Sequence, residues 1–249
     1  MFLPMPMAMD PFTLFVSLIG LPLIFLPQWW VKKTYNTWKE VPTARGMKGA
    51  EIAVDMLRQA GIHDVRVEET PDELGDHYSP SEKTVRLSPY IYHGRSVAAA
   101  AIAAHEIGHA MQHAQQYSPV VWRGNLFPLV NIGSQLGPML FFISLMLKSF
   151  MGLPTGLTIL FAGTGVVLFS FAVLFHFVTL PVELDASKRA LTVLHNSGYL
   201  QPQEIPGAKK VLTSAAFTYI STALYAALEL VSYVLRLVGL MNSNQQQEE

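Results

Sequence analysis

Three stretches without a single Asp, Glu, Lys or Arg constrain this chain more than any other feature: Pro11 to Val31, Gly124 to Leu147 and Ser149 to Val182. A helix needs about 20 apolar residues to cross a hydrocarbon core of about 30 Å, and each run meets that length. Lipid offers the backbone no hydrogen-bond partners, so such runs cross as helices. They predict a mainly α, multi-span membrane protein with three spans. The composition agrees, since 14% charged residues against 51% hydrophobic is too sparsely charged for an ordinary soluble domain.

Charge placement orients the spans. Of the 17 Lys and Arg, 11 fall between the first and second spans and 5 after the third, with Lys148 alone in the turn between the second and third. By the positive-inside rule both large polar segments face the cytoplasm, which predicts a multi-pass protein of the plasma membrane with a cytoplasmic catalytic part. Trp29 and Trp30 close the first span, and Lys32 and Lys33 follow at once. No Lys or Arg precedes that span and Asp10 stands at its edge, so the cationic start of a cleavable signal peptide is missing and the span reads as a retained anchor. The expected organisation is an N-terminal membrane anchor over 1–31, a cytoplasmic catalytic segment over 32–123, a two-helix membrane hairpin over 124–182, and a third-ligand helix with a C-terminal amphipathic or membrane helix over 183–249.

The chemistry centres on His105-Glu106-Ile107-Gly108-His109. Residues four apart on a helix stack about 6 Å apart along the axis, so two imidazoles there can grip one metal ion. The carboxylate between them sits beside the metal and can take a proton from a water that the metal has acidified. The run Val97 to Ala104, behind Ser96, is rich in helix formers and places the motif inside a helix. With no cysteine in the chain, disulfides and thiolate ligands are excluded, and a metal must be held by His and carboxylates. A net charge of -1 gives no basic field for phosphates, so no nucleic-acid partner is expected. The expected partners are a protein or peptide substrate and the lipid bilayer.

Around the motif, Lys48 to Ala60 reads as a helix stopped by Gly61. His63 to Glu69 and Lys83 to Leu87 alternate in polarity, with a turn at Ser79-Pro80-Ser81 after Asp76-His77-Tyr78, predicting a small sheet or hairpin just before the metal helix. An exposed edge strand there could pair with an extended peptide. A hairpin that only packs the helix explains the pattern equally well. Further on, Ser214, Thr218, Ser221, Tyr225, Glu229, Ser232 and Arg236 form a polar stripe at steps of three or four, which faces protein or water and not lipid. Of packing against the catalytic helices, lying at the interface and crossing as a fourth span, the first is favoured. The tail from Asn242 to Glu249 is expected to be disordered.

For a third ligand, His113 continues the ladder but lies about 12 Å along the axis from His105, too far for one zinc with bonds near 2 Å. A longer motif with a further histidine would need Gly at 112 and His at 115, where this chain has Gln112 and Gln115. Two membrane helices return the chain to the side it left, so the segment after Pro181 can meet the motif. Glu183 is the best candidate there, with Asp185 next; a carboxylate favoured by a helix N-terminus is the competing reading of Glu183. His63, His77, His93, His176 and His195 stand alone and read as surface or packed residues.

The chain resembles the YugP-type neutral zinc metallopeptidases of bacterial membranes, distant relatives of the HtpX and CAAX-processing membrane proteases. The likeness rests on the order of the anchor span, D-H-Y-S-P from Asp76, S-V-A-A-A-A-I-A-A-H-E-I-G-H-A-M-Q from Ser96, the membrane hairpin, P-V-E-L-D-A-S-K-R-A from Pro181, and K-K-V-L-T-S-A-A-F-T-Y-I from Lys209. It implies a zincin-like, largely helical catalytic unit with Zn²⁺ on His105, His109 and Glu183 and with Glu106 as general base. The HtpX-like pattern places an aspartate four residues after the third ligand, and this chain has Ser187.

The reading is a membrane-anchored zinc endopeptidase, with Tyr219 as the expected donor to the oxyanion. A membrane di-iron oxygenase would need several more paired histidines. A zinc-binding scaffold without proteolysis would have no use for an intact Glu106. An intramembrane-cleaving enzyme is disfavoured because only eight apolar residues separate Ser96 from His105, too few to bury the motif deep in lipid.

Overall fold

A computed structural model describes residues 11–73 and 75–248. Asp10 and the residues before it, on which the reading of a retained anchor leans, lie outside that range, as does Glu249. The elements in chain order are α1 (Pro11–Trp38), α2 (Gly49–Gln59), β1 (Arg66–Glu69), β2 (His77–Ser79), β3 (Thr84–Leu87), α3 (Pro89–His93), α4 (Val97–Ala114), α5 (Ser118–Met151), α6 (Thr155–Asn196) and α7 (Ile205–Glu248). They gather into two compact units. One holds residues 11–24, 122–178 and 221–248, the other residues 25–121 and 179–220.

Among the described residues four helices are long and apolar enough to cross a membrane: Pro11–Trp38, Ser118–Met151, Thr155–Asn196 and Ile205–Gln246. The stripe from Ser214 to Arg236 was expected to pack on the catalytic helices; the turns of α7 before it place Ala208, Val211 and Leu212 in the core of the second unit, and α7 as a whole is long and apolar enough for a fourth span, one of the alternatives. The same helix then continues into the first unit, where Ala226 and Tyr233 join the core around Phe141 and Phe169. There its polar stripe faces protein, as its spacing required. Thr13 and Ser232 share a hydrogen bond of 2.8 Å, Arg236 donates to Thr13, and the Tyr233 hydroxyl donates to Glu229. The tail expected to be disordered is helical through Glu248. Extending an existing helix needs no new nucleus, and Gln and Glu are good helix formers.

Within the first unit α5 and α6 approach backbone to backbone. A Cβ added at Gly133 would lie 2.3 Å from the Leu168 carbonyl oxygen, and one at Gly165 would lie 2.6 Å from that of Gly137. Gly133 and Gly137 are four apart, the small-residue spacing that lets membrane helices touch where no hydrophobic force drives them together.

In the second unit the alanine-rich run before the metal motif is buried at every position but Ile102. Val97 to Ala101, Ala103 and Ala104 are at most 1% exposed, and the core around them includes Ile52 and Met56 of α2, Val85 and Leu87 of β3, and Ile91 of α3. The apolar segment is therefore part of the core of this unit. Ser96 caps α4 by accepting from the Ala99 amide at 3.2 Å. α2 ends as expected, with Gly61 at φ +70.

The sheet differs from a simple hairpin. Its order is β1-β3-β2, with β1 parallel to β3 and β2 antiparallel to β3. Alternation marks a strand without naming its partner. The segment Asp76-His77-Tyr78, read only as what precedes a turn, supplies most of β2. The Ser79-Pro80-Ser81 turn then joins β2 to β3, with Lys83 at φ 49.

Gly133→Leu and Gly165→Leu should each destabilise the protein by about 1–3 kcal/mol, the usual cost of overpacking, because only backbone could move aside. Gly156→Leu, where a Cβ meets nothing within 4 Å, is the control. Thermal unfolding in detergent compares the three.

Candidate metal centre

α4 and α6 cross at a glycine. A Cβ at Gly108 would stand 2.6 Å from the Ala186 carbonyl oxygen, so the helices touch at the fourth residue of the motif. That contact brings His105 and His109 to Glu183, and their candidate ligand atoms all lie within 4.8 Å of one another. Among the described residues this is the group of His, Cys, Asp and Glu whose geometry could hold a metal ion.

The spacing is informative. Nε2 of His105 lies 3.3 Å from Glu183 Oε2, and Nε2 of His109 lies 3.5 Å from the same oxygen. Charge-assisted N–H···O bonds run about 2.7–2.9 Å. Ligand atoms at about 2.0–2.1 Å around a tetrahedral zinc are separated by about 3.3–3.4 Å along each edge. The three groups thus stand at co-ligand distances. The two rings meet edge to face with centroids 4.7 Å apart.

The far nitrogens of both rings are occupied. Nδ1 of His105 lies 3.1 Å from the Ser187 hydroxyl, and Nδ1 of His109 lies 3.0 Å from Oε1 of Gln112. Each ring therefore turns Nε2 toward Glu183. Such partners on the second nitrogen set the orientation of metal-binding histidines. Ser187, a departure from the HtpX-like pattern in sequence, stands where it can orient His105. Gln112, read in sequence only as the absence of a glycine, orients His109. Both sit at helical spacing, Gln112 three residues after His109 and Ser187 four after Glu183, and that is the signal by which they could have been found.

Charge favours a cation here. Burial works to raise the Glu183 carboxyl, but its bonds to His105 and His109 and their charges outweigh it and hold the group below the usual carboxylate range. Burial pulls His109 down, yet the bond to Glu183 and the charges of Glu106 and Glu183 raise it overall. Glu106 itself is buried at 8% exposure. Asp76, from the D-H-Y-S-P string, accepts from the Ser88 amide and hydroxyl. Burial pushes its carboxyl up, and the negative charge of Glu106 adds to the effect.

Asp185, the second choice as ligand, points elsewhere: it receives bonds from Gln112 and Arg189. His113 bonds the Tyr78 hydroxyl at 3.0 Å. Tyr219 lies on α7, 36% exposed, outside the group of three.

Gly108→Val should push α4 off α6 and separate His109 from Glu183. We expect metal binding at least about tenfold weaker, as when the surroundings of a metal ligand are disturbed, measured by competition with a chromophoric chelator.

A family model described as "Putative neutral zinc metallopeptidase" matches residues 13–238. The "Putative membrane protease YugP" of Bacillus subtilis (strain 168) is 39% identical over 222 residues, covering 89% of this chain and 95% of that protein. No solved structure matches the chain. A helical protein with several helices apolar enough to span a membrane and with two histidines and a glutamate that could hold a metal ion, matched by that family along nearly its whole length, belongs to the neutral zinc metallopeptidases.

Proposed function

We propose that the protein is a zinc endopeptidase of the plasma membrane whose catalytic unit faces the cytoplasm. His105, His109 and Glu183 hold the metal and Glu106 is the general base. The observation that carries this is the spacing of 3.3 and 3.5 Å between the ring nitrogens and Glu183, with both far nitrogens already engaged. The donor set suits zinc, being two neutral imidazoles and one carboxylate with no thiolate. Bound zinc would supply a Lewis acid that polarises the scissile carbonyl and acidifies a water.

The chain's own residues do the rest. Glu106, next to His105 in sequence and buried, takes a proton from the attacking water and hands it to the leaving amine. Tyr219 supplies a hydroxyl to the developing oxyanion. The substrate lies extended along β2, which pairs with β3 on one side only within its sheet. β2 adjoins α4 through Tyr78, whose hydroxyl meets His113 one turn beyond His109. A strand edge pairs with any backbone and needs no chain terminus, which favours internal cleavage.

Glu106→Gln should leave zinc stoichiometric while cleavage of an unfolded casein-like substrate falls by at least about 10²–10⁴-fold, the range for a lost general base. Glu183→Ala should lose zinc and activity together. Elemental analysis and cleavage on the same detergent-purified samples decide it. A Glu106→Gln protein that still cuts would refute the assignment.

The orientation is tested by cysteine labelling, since the natural chain has no cysteine. A membrane-impermeant maleimide on intact cells should label Pro154→Cys, in the turn between α5 and α6. It should label Gln201→Cys, between α6 and α7, only after permeabilisation. The reverse pattern would invert the proposed topology.

A further inference from the structure

Gln112 is wholly buried, yet its side-chain amide makes three hydrogen bonds. Its Nε2 donates to the Val182 carbonyl oxygen and to Asp185 Oδ2, both at 2.8 Å, while its Oε1 faces His109 Nδ1 at 3.0 Å. The two groups facing the nitrogen are pure acceptors. Turning the amide over would set its oxygen against both of them, so only one orientation is allowed. With the oxygen then aimed at His109, Nδ1 must carry a proton, and in the neutral ring that a metal needs the lone pair is left on Nε2, toward Glu183.

The carboxylate that enforces this is itself held. Asp185 receives Arg189 Nε, and Arg189 also donates from Nη1 to Gln115 Oε1 at 2.6 Å and lies over the Tyr117 ring at 5.7 Å. The charge on Asp185 is thereby balanced without a metal, which accounts for its standing outside the ligand group. His105 is treated differently. Its Nδ1 meets the Ser187 hydroxyl, which can rotate to donate or to accept and so leaves the tautomer open.

We propose that Gln112, Asp185 and Arg189 are positioning residues that lock His109 in its metal-binding tautomer and ring orientation, a lock that His105 lacks. This rests on the reading that His109 is a ligand. Its consequence is an asymmetry between the two histidines: disturbing the Gln112 chain costs more metal affinity than removing the Ser187 hydroxyl.

The test uses the full chain in detergent, with zinc affinity from chelator competition and the visible spectrum of the cobalt(II)-substituted protein as readouts independent of cleavage. Gln112→Leu and Asp185→Leu should still take up one metal at saturation, with affinity about 10–100-fold weaker and an altered cobalt spectrum. Asp185→Asn keeps an oxygen for the Gln112 amide and should recover most of the loss. Ser187→Ala should lose less than Gln112→Leu. Arg189→Met, at the end of the chain farthest from His109, should weaken binding in the same direction and serves if the Gln112 and Asp185 variants do not fold.

Unchanged affinity and spectrum in folded Gln112→Leu and Asp185→Leu would overturn the proposal, as would a Ser187→Ala loss equal to theirs. Failure of Asp185→Leu to bind metal at any concentration would make Asp185 a ligand and overturn it too. A wild-type chain that binds no metal, or a Glu183→Ala chain that binds it normally, would instead strike the underlying ligand reading.

Discussion

The whole centre depends on one contact between helices from distant parts of the chain, the approach of Gly108 on α4 to the Ala186 carbonyl on α6. His105 and Glu183 are 78 residues apart in sequence, and no local structure could unite them. A glycine at the crossing lets the backbones meet without a side chain between them. The ligand atoms are then set by two rigid helices and not by loops, which holds a site within the fraction of an ångström that coordination requires.

Long-range closure is costly when the intervening chain is free, because loop entropy must be overcome. Here the intervening chain is itself ordered. α5 and α6 form a helical hairpin, turned at Gly152 with φ +69 and sealed by the glycine contacts at 133, 137 and 165. α6 continues past Pro181 without a break, so the helix that begins in the apolar run also carries Glu183.

Which parts of this were legible in sequence follows from what each signal encodes. Charge-free length exposed three helices but passed over α7, because its window is interrupted by Glu229 and Arg236, which the fold satisfies internally through Tyr233 and Thr13. The position of the metal helix was readable because four-residue spacing, an N-cap serine and an alanine run all agree. The segment after Pro181 was readable by topology alone, since two crossings return the chain. Strand pairing was not, because alternation at Arg66–Glu69 and Thr84–Leu87 carries no direction, and the parallel pairing of β1 and β3 depends on a β2 too short to show a pattern. Gln112 and Ser187 were hidden for another reason. Polar residues at helical spacing are ordinary on a surface, so the spacing alone does not single them out, and it is their hydrogen bonds that tie them to the histidines.

The nature of those two partners bears on the strength of the centre. Where a carboxylate faces the second nitrogen of a ligating histidine, it makes the ring more basic and donates electron density to the metal. Here one partner is a hydroxyl and the other a neutral amide, and the nearby carboxylate of Asp185 is balanced by Arg189. Glu183 is then the one anionic group in the proposed ligand set, and two neutral rings and one carboxylate leave a divalent ion with a net charge of about +1. That residual charge favours polarising a carbonyl and acidifying water. Glu106 adds a second buried carboxylate close by, outside the group of three. The substitution of serine for the aspartate of the HtpX-like pattern is therefore consistent with a hydrolytic centre, since it withholds one anion from the metal's surroundings.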